Sequence, residues 1–494
     1  MGKSLLRTGV VLSLAILAGR LTGFLREAVL ARSFGASADA DAAVLLLTMP
    51  DLLVNLLLAG GLTAALIPEF KALDRTRAAN LFVQSSLMIG ATFLALAALI
   101  AVFPGAMLGL LAPGLVPEAY ANGVAAVRIM AWAIPLSALA GVSGAYLQAN
   151  ERFLAAGLGT LIFNACVIAA LLVPSAPVGL ITALALGINA GAFLRWAVQV
   201  SVLPRARPQG WRTSWLISRP LLLRYVQALL SSSILLAVPV LARAYASTSG
   251  EGGIAIFNYA SKLVDLPLAV FISLIASVTF PRLSQHFGES IDSEPGRQLL
   301  AQAMRLTILL SITVALVCAW YAEPLAAMIF GQGSLSDPDL ARLARLAAIG
   351  FISLPMQGAC YMLTAALNAQ RRSHVPLWIN LACVSVMSVA MVYFAGELAL
   401  SSVMVILVLT YTAMMLGLWA AVRARIWGRA GIVDMRVLAG LMGSAILFAG
   451  MVALGNRLAL GVWTQFAWIA LTGGLVLGTN LAVGIPGIKS IIRR

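Results

Sequence analysis

The chain has 494 residues, 61% of them hydrophobic and 10% charged, with a formal net charge of +15. Ordinary soluble domains carry roughly 45–50% apolar and about 25% charged residues, so a soluble globular fold is excluded, because its core cannot absorb this much apolar surface. Nucleic acid is not the expected partner either: the Lys and Arg residues form short clusters at the ends of apolar runs, where they suit anionic lipid headgroups.

Apolar runs long enough to cross about 30 Å of hydrocarbon recur from end to end, without the period-two alternation of barrel strands. In chain order they place helices near 5–31, 42–68, 79–103, 120–148, 153–174, 178–203 and 221–246. Seven more fall near 253–281, 298–322, 339–368, 375–395, 399–422, 437–455 and 464–488. The sequence therefore predicts an all-α polytopic membrane protein of about 14 transmembrane helices. The first run is long and no small-residue cleavage site follows it, so it reads as a span and not as a cleaved signal.

Loop charge sets the expected orientation. One alternate set of loops and termini holds 21 Lys and Arg residues, while the opposite set holds only Arg32 and Arg457. Short cytoplasmic loops are the basic ones, so both termini are expected in the cytoplasm, which requires an even number of spans. The four cysteines, Cys166, Cys318, Cys360 and Cys383, lie inside apolar runs without CxxC spacing and read as inert thiols. His286 and His374 lie in loops, so no His-based metal site or proton relay is expected, and no cofactor.

The chain repeats itself at an offset of 220 residues. Pro135 and Leu147-Gln-Ala-Asn-Glu-Arg152 are matched by Pro355 and Leu367-Asn-Ala-Gln-Arg-Arg372, with Asn164-Ala-Cys166 echoed by Asn380-Leu-Ala-Cys383. Six helices separate the copies, so they share one orientation. The expected architecture is two parallel six-helix lobes, 1–220 and 221–430, around a central cavity, with 431–494 supplying two further transmembrane helices. Asn164 and Asn380 are expected to bond neighbouring helices in preference to substrate.

Charges at bilayer depth are costly, from about 2.5 kcal/mol upward, and mark functional candidates. The first helix carries Arg20, Arg26 and Glu27; Arg20, Gly23 and Glu27 share a stripe, and Gly19 and Gly23 admit close approach of a helix or a substrate. The eighth helix adds Lys262 and Asp265, three apart on one face, as a local ion bridge or as part of a site. Arg243 reads as a snorkelling side chain. Three cations, Arg20, Arg26 and Lys262, against the carboxylates Glu27 and Asp265 leave an interior suited to phosphate or pyrophosphate. Asp39-Ala-Asp41 raises a metal-dependent glycosyltransferase as an alternative, but Asp41 reads better as a helix cap and no enzyme is expected.

Gly19-Arg-Leu-Thr-Gly-Phe-Leu-Arg-Glu27, Arg32-Ser-Phe-Gly35 with Asp41-Ala42, Tyr259-Ala-Ser-Lys-Leu-Val-Asp-Leu-Pro267 and Phe330-Gly-Gln-Gly333 together resemble the MurJ/MviN family. That family is part of the multidrug/oligosaccharidyl-lipid/polysaccharide exporter superfamily, and the resemblance implies a flippase for lipid II, a polyprenyl-pyrophosphate-linked peptidoglycan precursor, in a bacterial inner membrane. It implies that Arg20, Arg26 and Lys262 contact the pyrophosphate, with Glu27 and Asp265 as ion-pair or gating partners. The expected partners are the lipid-linked glycan and membrane lipids. Two departures stand out: Val54-Asn55 replaces a pair of arginines and Ala59 replaces a glutamate, which keeps a flippase for another lipid-linked oligosaccharide open. A multidrug or cation antiporter would instead have an acidic cavity and fewer spans.

Overall fold

The computed structural model describes residues 2–56, 62–173, 179–204, 215–268, 293–370, 372–394, 399–424, 435–458 and 462–484, with positions 275, 279, 283 and 285–287; along some helical stretches only the backbone is described. Every described element is a helix, and no strand occurs among the described residues. The order is α1 Gly2–Phe34, α2 Ala38–Leu56, α3 Leu62–Ala72, α4 Arg75–Val102, α5 Pro104–Leu111, α6 Pro117–Met130, α7 Ala133–Ala149, α8 Phe153–Leu172, α9 Leu180–Ser201 and α10 Arg219–Ala246. It continues with α11 Gly253–Pro267, α12 Glu294–Trp320, α13 Ala322–Phe330, α14 Asp337–Phe351, α15 Leu354–Ala369, α16 His374–Tyr393, α17 Leu400–Val422, α18 Met435–Arg457 and α19 Val462–Gly484.

Local chemistry sets several of these boundaries. The starts of α10, α12 and α14 share a Ser-X-Pro pattern, in which the hydroxyl of Ser218, Ser293 or Ser336 accepts an otherwise orphaned amide from the first turn. Proline fits behind it because the missing N–H lies where no intrahelical partner exists. Asp74 caps α4 in the same way, accepting from the amides of Thr76 and Arg77.

Among the described residues, seven helices are long and apolar enough to cross a membrane, or nine when each of two bent helix pairs counts as one span. The bends refine the sequence reading. The runs expected as single helices at 120–148 and 339–368 are each broken, α6 from α7 by 44° and α14 from α15 by 42°. Pro135 and Pro355 stand in the first turn after each break, where a missing amide and a crowded ring stop the preceding helix from continuing straight. Short helices α5 and α13 occupy stretches that read as loops, and the described residues within the expected helix at 42–68 are helical, in α2 and α3.

The 220-residue repeat recurs in the backbone. Elements α4 to α9 and α12 to α17 follow the same order, and α8 and α16 each have 20 residues. Before those two helices the chain closes an identical bond, from the Arg152 amide to the Leu147 carbonyl at 2.8 Å and from the Arg372 amide to the Leu367 carbonyl at 2.9 Å. Packing partners repeat as well: α7 touches α4 and α9, and α15 touches α12 and α17.

The helices form two compact units, residues 1–258 with Gly333–Leu335, and 259–332 with 336–494. In the first, α1 packs along α8, α8 along α9, and α10 against α2, α3 and α5. In the second, α18 and α19 pair, and α19 lies on α12 and α13. Val317, Tyr321, Val452 and Ile469 form the apolar contact there, and Asn480 Nδ2 donates to Thr313 Oγ1 at 2.5 Å. Large apolar side chains remain outside, such as Val386, Val389 and Val392 on α16. A surface of this kind suits lipid, where outward-facing apolar groups cost nothing.

Candidate functional site

The residues singled out on α1 separate by depth. Arg20 is exposed, whereas Arg26 and Glu27 are each only 2% exposed. Gly19 and Gly23 face α8: a Cβ built on Gly19 would stand 3.2 Å from Thr160 Cβ, and one on Gly23 would stand 3.3 Å from Asn164 Nδ2. The close approach these glycines permit is therefore that of a helix. It brings Asn164 onto α1, where its Nδ2 donates to the Gly19 carbonyl at 3.1 Å and its Oδ1 accepts from Arg26 Nη1 at 3.1 Å.

Arg26 is the centre of a buried charge cluster. Its Nη1 donates to Asp51 Oδ1 at 3.2 Å and its Nη2 to Asp51 Oδ2 at 2.7 Å, a two-pronged pairing with a carboxylate on α2. Nη2 also donates to Glu27 Oε1 at 2.7 Å. The other Glu27 oxygen accepts from Asn258 Nδ2 at 2.8 Å, which ties α1 to α11. Planar guanidinium suits such a network because it presents parallel donors to each carboxylate. Arg195, 1% exposed, lies on α9, which packs against the α2 helix that carries Asp51. Two cations, Arg26 and Arg195, and two carboxylates, Glu27 and Asp51, lie on α1, α2 and α9 of the first unit.

Asp41 is a helix cap, but for a different helix from the one expected. It lies inside the first turn of α2, and its carboxylate accepts from the amides of Gly252 at 2.9 Å and Ala255 at 2.8 Å at the start of α11. Its own helix is begun by Ser37, whose hydroxyl accepts from the Ala40 amide, and by Glu251, whose Oε1 accepts from the Ala38 amide at 3.0 Å. Each of the two helices thus has its N-terminus held by a carboxylate from beside the other.

Two further stretches of sequence meet at the end of α1. Gly35 adopts φ 64° and closes α1 with a bond from its amide to the Ala31 carbonyl at 2.9 Å. A side chain here would be strained, and its Cβ would stand 2.5 Å from the Ser334 carbonyl oxygen. The Ser334 hydroxyl in turn donates to the Arg32 carbonyl at 2.9 Å, so 32–35 and 333–334 form one contact. Arg243, read as snorkelling, instead donates from Nη1 to Thr48 Oγ1 at 3.3 Å. In the second unit, Lys262 is half-buried and Asp265 exposed on α11. Asn380 is buried on α16. Ala59 lies outside the described residues, and of Val54 and Asn55 only the backbone is described.

Sequence reasoning missed Asp51, Asn258 and Arg195. A signal existed for Arg195, the only charge in the apolar run of α9, which by its depth qualified as a candidate. For Asp51, nothing in its neighbours links it to a residue 25 positions earlier. Among the described residues, no cluster of three His, Cys, Asp or Glu side chains is arranged to hold a metal ion.

Helices throughout the described residues, apolar outer faces, spans of membrane length and a charge cluster buried within one unit define a polytopic all-α membrane protein. The sequence model of the family described as "Lipid II flippase MurJ" matches residues 30–472, and the chain belongs to that family. It is 27% identical over 369 residues to the lipid II flippase MurJ of Burkholderia cenocepacia, covering 71% of this chain and 70% of that one. It is 22% identical over 386 residues to a probable lipid II flippase MurJ of Rickettsia prowazekii, covering 76% of each. Among solved structures, a lipid II flippase MurJ in an inward closed conformation matches with a TM-score of 0.83 at 17% identity, covering 98% of this chain and 100% of that one. An inward-facing multidrug resistance MATE family transporter of the MOP superfamily matches with a TM-score of 0.69 at 17% identity, covering 84% of this chain and 98% of that one. The structural matches establish the fold.

Proposed function

We propose that the protein is a flippase that carries lipid II from the cytoplasmic to the outer leaflet of a bacterial inner membrane by alternating access. The observation that carries this reading is the family match across residues 30–472. The movement makes and breaks no covalent bond, so the protein acts as a transporter and not as an enzyme. Both termini are assigned to the cytoplasm on the distribution of loop charge. Fourteen spans, in two six-helix lobes with two helices added, remain the proposed membrane topology.

Arg20 and Arg26 are the proposed pyrophosphate contacts on α1, and Lys262 is a further contact proposed from sequence resemblance. Arg20 is exposed on α1, and Arg26 lies about 9 Å further along the helix axis. Glu27 is the ion-pair partner of Arg26, and Asp265 is assigned the corresponding role beside Lys262. A membrane potential negative inside favours outward movement of an anion by about 2.3 kcal/mol per charge per 100 mV.

Val54-Asn55 and Ala59 favour a second reading, in which the cargo is a different polyprenyl-pyrophosphate glycan, because fewer cations then face the headgroup. Depletion of the protein in cells, followed by leaflet-specific labelling of lipid-linked intermediates, tests both. Lipid II trapped on the cytoplasmic leaflet is the expected result. A different trapped intermediate selects the second reading, and unchanged leaflet distributions overturn both.

A further inference from the structure

Arg195 is fully buried on α9, and among the described residues no acceptor reaches its Nε or Nη2. One turn further on, Gln199 is buried with its amide oxygen and nitrogen in the same state. Both side chains lie against Gly159 of α8, where a Cβ would stand 3.0 Å from Arg195 Nε and 3.0 Å from Gln199 Nε2. A guanidinium removed from water without acceptors is among the least favourable groups a protein interior can hold. It becomes acceptable when a carboxylate is available to it in some state of the molecule. Asp51 is the candidate carboxylate: it stands on α2, a helix that packs against α9, and it is bonded to Arg26.

We propose that Arg195 is a positioning residue that serves as the alternate partner of Asp51, taking the carboxylate from Arg26 when Arg26 accepts a phosphate. This rests on the reading that Arg26 contacts the pyrophosphate of the substrate. With both Glu27 and Asp51 on it, Arg26 belongs to a group of net charge −1, from one cation and two carboxylates. An anion approaching that group meets repulsion, and the donors it needs are occupied. Transfer of Asp51 to Arg195 leaves two neutral pairs, Arg26 with Glu27 and Arg195 with Asp51. It also frees the two Arg26 donors that held Asp51, which then present a fork of the kind that binds phosphate. Asp51 suits the exchange because its side chain is 30% exposed, in contrast to 3% for Arg26 and Glu27.

The test uses the purified full-length chain in lipid nanodiscs with undecaprenyl pyrophosphate as the probe. Arg195→Met removes the alternate partner and leaves Asp51 on Arg26, so affinity is expected to fall by about tenfold or more. Asp51→Asn in the Arg195→Met background removes the competing charge and is expected to restore affinity to within about threefold of wild type. Arg195→Lys, which keeps charge without the fork, is expected to fall between. Unchanged affinity in Arg195→Met, or absence of rescue by Asp51→Asn, overturns the proposal. Arg195→Met also removes an uncompensated buried charge, so loss of folding is not the expected confounder. Absence of probe binding by the wild type overturns the pyrophosphate reading instead. A double-mutant cycle on melting temperature, run with and without undecaprenyl pyrophosphate, then decides the exchange: coupling between Arg195→Met and Asp51→Asn that grows with the probe supports it, and coupling unchanged by the probe overturns it.

Discussion

Replacing Arg26 with alanine removes the donor of four side-chain hydrogen bonds, two to Asp51, one to Glu27 and one to Asn164. The largest cost comes from Glu27, whose side chain is 3% exposed and keeps the bond from the Asn258 amide. Breaking a buried ion pair from one side costs about 3–5 kcal/mol. Asp51 is part exposed, so water takes over much of its stabilisation, and the lost bond to Asn164 adds about 0.6 kcal/mol in a membrane setting. Arg26→Ala is therefore expected to lose about 4 kcal/mol of stability, measured by reversible unfolding in bicelles. The triple change Arg26→Ala, Glu27→Gln, Asp51→Asn leaves no buried charge and is expected to regain most of that loss, yet to remain without flipping in a leaflet-accessibility assay at matched protein levels. Wild-type flipping by the triple variant would reduce Arg26 to a structural residue. Wild-type stability of Arg26→Ala would refute the reasoning from burial.

Gly19→Leu is expected to separate α1 from α8, because its Cβ alone comes within 3.2 Å of Thr160; overpacking of this kind costs about 1–3 kcal/mol in the same unfolding assay, while Gly19→Ala stays closer to wild type. Asp41→Asn replaces a charge-assisted cap by a neutral one, so the amides of Gly252 and Ala255 are expected to exchange hydrogen about tenfold faster or more. Reporters fused after Arg212 and after Arg429, both outside the described residues, are expected on the cytoplasmic side, and one inserted between Ser336 and Asp337 on the external side. An external reporter at Arg212 would overturn the assigned topology.

Periodic and local features were legible in the sequence; long-range pairing was not. The apolar runs gave the helical class because hydrophobic length is a property of contiguous residues. The repeat was legible from residue spacing, whereas the bond that recurs before α8 and α16 came only with the backbone. Pro135 and Pro355 were recognised as repeat markers, yet their effect, a break in each long run, depends on how the preceding helix end packs. The Arg26 cluster illustrates the limit. Arg26 and Glu27 declared themselves by depth, but Asp51, Asn164 and Asn258 join them from three other helices. Asn164 arrives because α8 packs against Gly19 and Gly23, and a stripe of small residues does not specify which helix will occupy it.

The mutual capping of α2 and α11 bears on how the chain is made. Glu251 reaches the Ala38 amide across 213 positions of sequence, and Asp41 reaches Gly252 and Ala255 across 211 and 214. During synthesis α2 leaves the ribosome long before Glu251 exists, so it waits with an unmatched amide at its start and an acidic group whose eventual donors have not been translated. The early helices can enter the bilayer in that interval, but the end of α2 is finished only when the start of α11 arrives. An N-terminal fragment that stops short of Glu251 thus lacks half of a joint, and a C-terminal fragment that begins there carries the complementary half, so the sequence between positions 204 and 215, where two fragments would separate these halves, is a natural place to divide the protein and ask whether its pieces reassemble.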